Sequence, residues 1–198
     1  MLTLGDLKHL LVDKPGLAPK VNQIVSHSWY FYPLEKPRTR RWGDASPDQQ
    51  VEAVNSILTA LHDFDKETIA FALSLCRCES GFSVEAAAPQ SSAAGLFQFV
   101  NATRRLLYAR HCRLTNERYE IRYLDNPFRL DLDLKLIRHQ LNECLDFAKR
   151  RAKKNSEKFF EYGYAYHHDG PSLQYGGSKI AREKVLPLIP EFLKLIQS

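Results

Sequence analysis

The sequence contains no run of about 18 apolar residues, so no membrane-spanning helix is expected. It does not open like a secretory signal: Met1-Leu2-Thr3-Leu4-Gly5-Asp6 has neither a basic start nor an apolar stretch behind it. Internal repeats, low-complexity tracts and a dominant strand-type alternation are all missing, which points to one mainly helical domain. Cysteine is scarce, 4 in 198 residues, and the spacing of Cys76, Cys78, Cys112 and Cys144 is no zinc pattern. Cys76 and Cys78 stand two apart on a helix and point to different sides, so they do not suit a mutual bridge. Free, mostly buried thiols are expected, with a Cys112–Cys144 bridge left open. Acidic residues are outnumbered, 23 against 28 Lys and Arg, for a net charge of +5. A basic surface suits an anionic polymer, nucleic acid or cell wall, and equally suits plain solubility. No recognised nucleic-acid motif accompanies the charge, so no nucleic-acid partner is expected.

The chain is long enough for one domain with a real core. Residues 1–45 read as an N-terminal extension and 46–198 as the main domain. In the extension, Leu4, Leu7, Leu10 and Leu11 fit a short amphipathic helix that Pro15, Gly16 and Pro19 break. The aromatic cluster Trp29-Tyr30-Phe31-Tyr32-Pro33 and the basic run Arg38-Thr39-Arg40-Arg41-Trp42 follow. We read the aromatics as packing the extension onto the domain, the alternative being a sugar-stacking surface. Ser46-Pro47-Asp48-Gln49 is a helix start with a capping box. Val51, Val54, Ile57, Leu58 and Leu61 give that helix its buried face. Asp65 then caps a second helix, whose apolar positions are Ile69, Ala72, Leu73 and Cys76. Further helices are expected from Asn101 as a cap, from Asn126-Pro127, from Ser156 as a cap, and over 178–198 with a break near Pro187 and Pro190; 114–125 reads as irregular. The basic run at 149–154 complements a helix C-terminus, with attraction to an anionic polymer as the sharper alternative.

Glu79 falls in the last turn of the second helix, which Gly81 ends. The negative end of a helix dipole and a dry setting both disfavour an ionised carboxylate, so the Glu79 pKa is expected to rise. A carboxylic acid held protonated near neutral pH is the general acid that glycosidic cleavage requires. The plain alternative is a solvated glutamate at a helix end. A loop of small residues, Ala86-Ala87-Ala88-Pro89, follows, and then Ala94-Gly95-Leu96-Phe97-Gln98-Phe99. Gly95 permits a tight bend, and Gln98 offers an amide either to a ligand or to its own loop.

Glu79-Ser80-Gly81-Phe82, Gly95-Leu96-Phe97-Gln98-Phe99, Asn101-Ala102-Thr103 and Ala165-Tyr166-His167-His168-Asp169-Gly170-Pro171, in that order, resemble the soluble lytic transglycosylase and goose-type lysozyme-like family. The likeness spans about residues 65 to 171. Phe97 stands where the family pattern has Met, Asn101 where it has Pro, and one residue is inserted around His167-His168. The resemblance implies a mainly α, lysozyme-like fold and cleavage of the peptidoglycan MurNAc–GlcNAc β-1,4 bond. Glu79 would be general acid and then base, so that the muramic 6-hydroxyl closes a 1,6-anhydro ring. Ser80 would bond a substituent or orient Glu79, and Tyr166 would orient Glu79. Gly95, Leu96, Phe97, Gln98 and Phe99 would line the saccharide cleft. His167 or His168, depending on register, would take the family's asparagine position. No metal or cofactor is implied, although His-His-Asp has a metal-site alternative. Asp169 brought to the cleft would position a water and make the enzyme a hydrolytic muramidase; Glu85 and Glu161 are weaker candidates. A non-catalytic cell-wall-binding module is the rival reading. Without a signal peptide, such an enzyme is expected to be made in the cytoplasm and to act at the wall, in the periplasm. It would get there as an antibacterial effector exported by a type VI-like machine, or as a phage lysis or tail enzyme. An effector implies a cognate immunity protein that blocks the cleft.

Overall fold

A computed structural model describes residues 1–12, 42–88, 91–152 and 158–197. The chain is mainly helical, with 67% of residues in helix and no strand among the described residues. The only extended pairing there is a pair of isolated bridges, Ala87 with Ala94 and Ala94 with Phe99. No helix among the described residues is long and apolar enough to cross a membrane.

Helix α1 is a single turn, Leu4–Leu7. Helix α2, Pro47–Ala60, begins with the capping box read from the sequence: Ser46 Oγ accepts from Gln49 N at 3.2 Å, and Gln49 Oε1 accepts from Ser46 N at 2.9 Å. Helix α3, Lys66–Glu79, starts at Asp65, which accepts from Thr68 N at 2.8 Å. Every residue from Thr68 to Cys76 is buried. A helix that is covered all round is the centre of a fold, not a surface element. It ends where expected, with Gly81 in the left-handed region at φ 61°. No larger residue fits there, since a Cβ would come within 3.0 Å of the Gly43 backbone.

Helix α4, Asn101–Thr115, starts one residue earlier than the expected cap allows. Val100 is its N-cap, and Asn101 instead accepts from the Arg104 guanidinium at 2.8 Å. Asn116, at φ 58°, ends the helix. Helix α5, Leu130–Arg151, begins after Asn126-Pro127 rather than at it. The Asn126 side chain accepts from Phe128 N at 3.0 Å, closing a turn that precedes the helix. Helix α6, Phe159–Asp169, ends at Gly170, φ 68°. The expected Ser156 cap lies outside the described residues. Helix α7, Gly177–Ile180, runs through a π-helical turn and a 3-10 turn into α8, Ile189–Gln197. Neither proline breaks the run: Pro187 sits in the 3-10 turn, and Pro190 in the first turn of α8, where a missing N–H costs nothing.

One core joins all of this. Leu7, Leu10 and Leu11 pack in the same cluster as Leu73 and Leu75 of α3, Leu136 and Leu141 of α5 and Phe192 of α8. Leu7, Leu10 and Leu11 thus bury their side chains in this core. Gln50 holds Val12 through N–H and C=O together, at 2.8 and 3.2 Å, and the Arg77 Nε donates to Leu10 O at 2.8 Å. The aromatic cluster at 29–33 and the basic residues 38–41 lie outside the described residues. Trp42 donates to Cys78 O at 2.9 Å, on the helix that carries Glu79. The four cysteines are free, so no Cys112–Cys144 bridge forms.

Candidate active site

Glu79 is delivered to the surface by the last turn of the buried α3 and faces a cleft of about 560 Å³. The Tyr164 hydroxyl donates to its Oε1 at 2.6 Å. Tyr164 is only 1% exposed. Burial first, and then the Glu79 charge, push its phenol well above the usual tyrosine range, so it acts as a fixed donor. Cys78 Sγ lies 3.6 Å from the same hydroxyl.

Sequence reasoning assigned this orienting role to Tyr166. Two residues along a helix are about 200° apart, and the two tyrosines accordingly face different neighbours. Tyr166 stacks on Phe147, centroids 4.7 Å apart, and its hydroxyl meets Glu143 Oε2 at 3.4 Å. Phe160, one turn before Tyr164 on the same face, stacks on Phe71 of α3 at 4.9 Å and turns that face toward α3.

The Gly95–Phe99 segment forms the opposing wall, and two buried ionisable groups hold it. Asp133 of α5 accepts from Leu96 N at 2.6 Å, under Gly95, whose φ is 84°. Burial pushes the Asp133 carboxyl up to about 7, against the lowering effect of the Leu96 bond and Arg104. Arg104 of α4 donates to Phe99 O at 2.6 Å, to Ala94 O at 3.3 Å and to Asn101. Neither residue was singled out from the sequence. Leu96 and Phe97 turn fully into the core rather than to the cleft. Gln98 and Phe99 do line it. The Gln98 amide nitrogen is taken by its own loop, donating to Gly95 O at 2.8 Å and Ala86 O at 3.1 Å. Only its carbonyl oxygen is left for a ligand.

Ser80 is fully buried and donates to Cys76 O at 3.2 Å, so it caps the end of α3 and does not reach the cleft. His167 and His168 both line the cleft, and they do different work. His167 Nε2 meets Phe97 O at 3.1 Å, which fixes that nitrogen as the donor, since a carbonyl only accepts. Burial lowers its pKa, so the ring is neutral. It ties the end of α6 to the opposite wall. His168 Nδ1 meets Asp169 Oδ1 at 2.6 Å. Asp169 borders the cleft, but its carboxylate also accepts from Gly177 N at 3.1 Å and is 1% exposed. Among the described residues, no group of three or more His, Cys, Asp and Glu side chains is placed to hold a metal ion.

Among the cleft residues that went unnoticed in the sequence are Gln140 and Glu143 of α5. Glu143 is paired with Arg110 of α4 as well as with Tyr166. Three apart on one helix, Gln140 and Glu143 carry no local signal. Of the weaker carboxylate candidates, Glu161 is buried in a pair with Arg182 at 2.6 Å, and Glu85 does not line the cleft. Compared with known proteins, the chain matches no family model, no curated protein and no solved structure.

Proposed function

We propose that this protein is a lysozyme-like enzyme that cleaves the MurNAc–GlcNAc β-1,4 bond of peptidoglycan glycan strands, with Glu79 as the proton donor. The observation that carries this reading is the Tyr164–Glu79 hydrogen bond at 2.6 Å beside a cleft of about 560 Å³. A carboxyl at the end of a buried helix, oriented by a donor that never ionises near neutral pH, is poised to protonate a glycosidic oxygen. The Glu-Ser-Gly-Phe segment supplies this carboxyl and the Gly-Leu-Phe-Gln segment brings Gln98 to the same cleft, which supports the family resemblance.

Glu79 acts first as acid on the bridging oxygen, through an oxocarbenium-like transition state assisted by the substrate's N-acetyl group. Intramolecular attack by the muramic 6-hydroxyl then yields a 1,6-anhydro end. A hydrolytic muramidase is the second reading. Asp169 does not support it directly, because its oxygens are committed to Gly177 and His168. Glu143 is the carboxylate that keeps this reading alive. An exported effector or a phage lysis enzyme fits such an activity, and an immunity protein would then occupy the cleft.

Mass spectrometry of the soluble products from purified peptidoglycan tests the reading. Anhydro-muramic ends from the wild type, lost in Glu79→Gln, are expected. Reducing ends would make it a hydrolase, and intact sacculi would leave a wall-binding module.

A further inference from the structure

We propose that His168, held by Asp169, is a second proton-transfer residue of the cleft and takes the proton from the nucleophile that attacks the anomeric carbon. This rests on the glycan-cleaving reading above.

The geometry begins with Asp169. Its side chain is 1% exposed, and both oxygens accept from Gly177 N, at 3.2 and 3.1 Å. Gly177 opens α7 and lies so close to α6 that a Cβ would come within 2.9 Å of Ala165 Cα. The carboxylate is thus fixed by backbone on one side. On the other, its Oδ1 takes His168 Nδ1 at 2.6 Å. A helix anchor would need only the first of these contacts. The second sets the tautomer: with Nδ1 donating to a carboxylate, the lone pair resides on Nε2.

His168 itself is accessible. Its side chain is 31% exposed, and it lines the same cleft as Glu79. Its ring lies against that of Tyr164, centroids 6.0 Å apart, and Tyr164 is the residue bonded to Glu79. One tyrosine therefore adjoins both groups. Of the other ionisable groups bordering the cleft, His167 is held on Phe97 O, and Glu143 pairs with Arg110 and Tyr166.

The proton balance closes. Glu79 gives its proton to the leaving sugar oxygen as the glycosidic bond breaks. His168 Nε2 takes the proton of the muramic 6-hydroxyl as the new C–O bond forms. The site is left with a carboxylate and an imidazolium, and the proton returns through solvent to Glu79. Asp169 acts through His168 and is a positioning residue.

The test compares wild type, Glu79→Gln, His168→Ala and Asp169→Asn on purified peptidoglycan sacculi, with thermal denaturation of each variant. A positioned base contributes about 10²–10⁴-fold, so His168→Ala is expected to lose at least 100-fold in kcat with KM nearly unchanged. Added imidazole should restore part of that loss. The Asp169→Asn variant keeps an acceptor for Gly177 N and turns its amide N–H toward His168, reversing the tautomer. It should cost a comparable factor in kcat without unfolding the domain. Unaltered kcat in His168→Ala, or a loss with raised KM and no imidazole rescue, overturns the proposal while leaving Glu79 as the acid. A wild type that releases no muropeptides overturns both.

Discussion

Tyr164 Oη donates to Glu79 Oε1 at 2.6 Å, joining the middle of α6 to the last turn of α3. A hydrogen bond to a charged group contributes about 1.5–3 kcal/mol, equivalent to roughly 10–100-fold in rate. If Glu79 is the acid, Tyr164→Phe is expected to lower kcat by that factor, with KM little changed. Tyr166→Phe should cost less, because its hydroxyl reaches Glu143. Steady-state kinetics on soluble muropeptide chains measures both, and equal losses from the two would remove Tyr164 from its orienting role.

Gly95 lies directly over the Asp133 carboxylate. A Cβ there would fall within 2.8 Å of Oδ1 and nearer still to Oδ2, at a backbone φ of 84°. Left-handed strain and overpacking together cost about 2–4 kcal/mol. Gly95→Ala is therefore expected to lower the unfolding free energy by that amount in urea titration. The double variant Gly95→Ala/Asp133→Ser should recover only part of it, since the shorter side chain relieves the clash but not the strain. Full additivity of the two single effects would show that the contact plays no part.

Asp133 also sets a pH dependence. Its folded pKa is about 7 against a usual value of 3.8. Between those limits the native state binds the proton that the unfolded state has released, so stability falls as pH rises. The contribution is full below about 3.8 and gone above about 7. His167 and His139, whose charged forms burial disfavours, act in the opposite sense as pH falls below their usual 6.5. The difference between wild type and Asp133→Asn isolates the carboxyl. That difference should grow in favour of the variant by about 4 kcal/mol from pH 4 to pH 8. A pH-independent difference would mean that Asp133 titrates normally.

What the sequence made legible was local. The Ser46–Gln49 capping box, the Asp65 cap and the stop at Gly81 each depend on residues within one turn of each other, and each occurs as read. Glu79 at the end of an apolar helix was legible for the same reason. Tyr164, Asp133, Arg104 and Glu143 were not singled out, because what marks them is a partner 85, 37 or 5 residues away, or on a facing helix. A buried arginine and an exposed one look alike on a helical wheel; the carbonyls of a bent loop make the difference. The Ala165–Pro171 segment misled for a related reason. Tyr164, just before it, and Tyr166 sit two apart, so the choice between them rests on the phase of α6, which the Phe160–Phe71 stack fixes.

Glu143 decides between the two outcomes of bond cleavage. It borders the cleft with Glu79, and its pairing with Arg110 and Tyr166 gives it both a counter-charge and an oriented donor. A transglycosylase has no need of a second carboxylate, because the nucleophile is the substrate's own hydroxyl. In that case Glu143 contributes only substrate contacts, and Glu143→Gln is expected to change kcat by less than about tenfold, the scale of one neutral hydrogen bond. A hydrolase does need it, as the base that activates water, and the loss would then approach the 10²–10⁴-fold of a missing base. Reading the product ends alongside the rate separates the two cases. Anhydro ends with modest loss place Glu143 in binding, whereas reducing ends in the wild type that vanish in Glu143→Gln place it in the reaction itself.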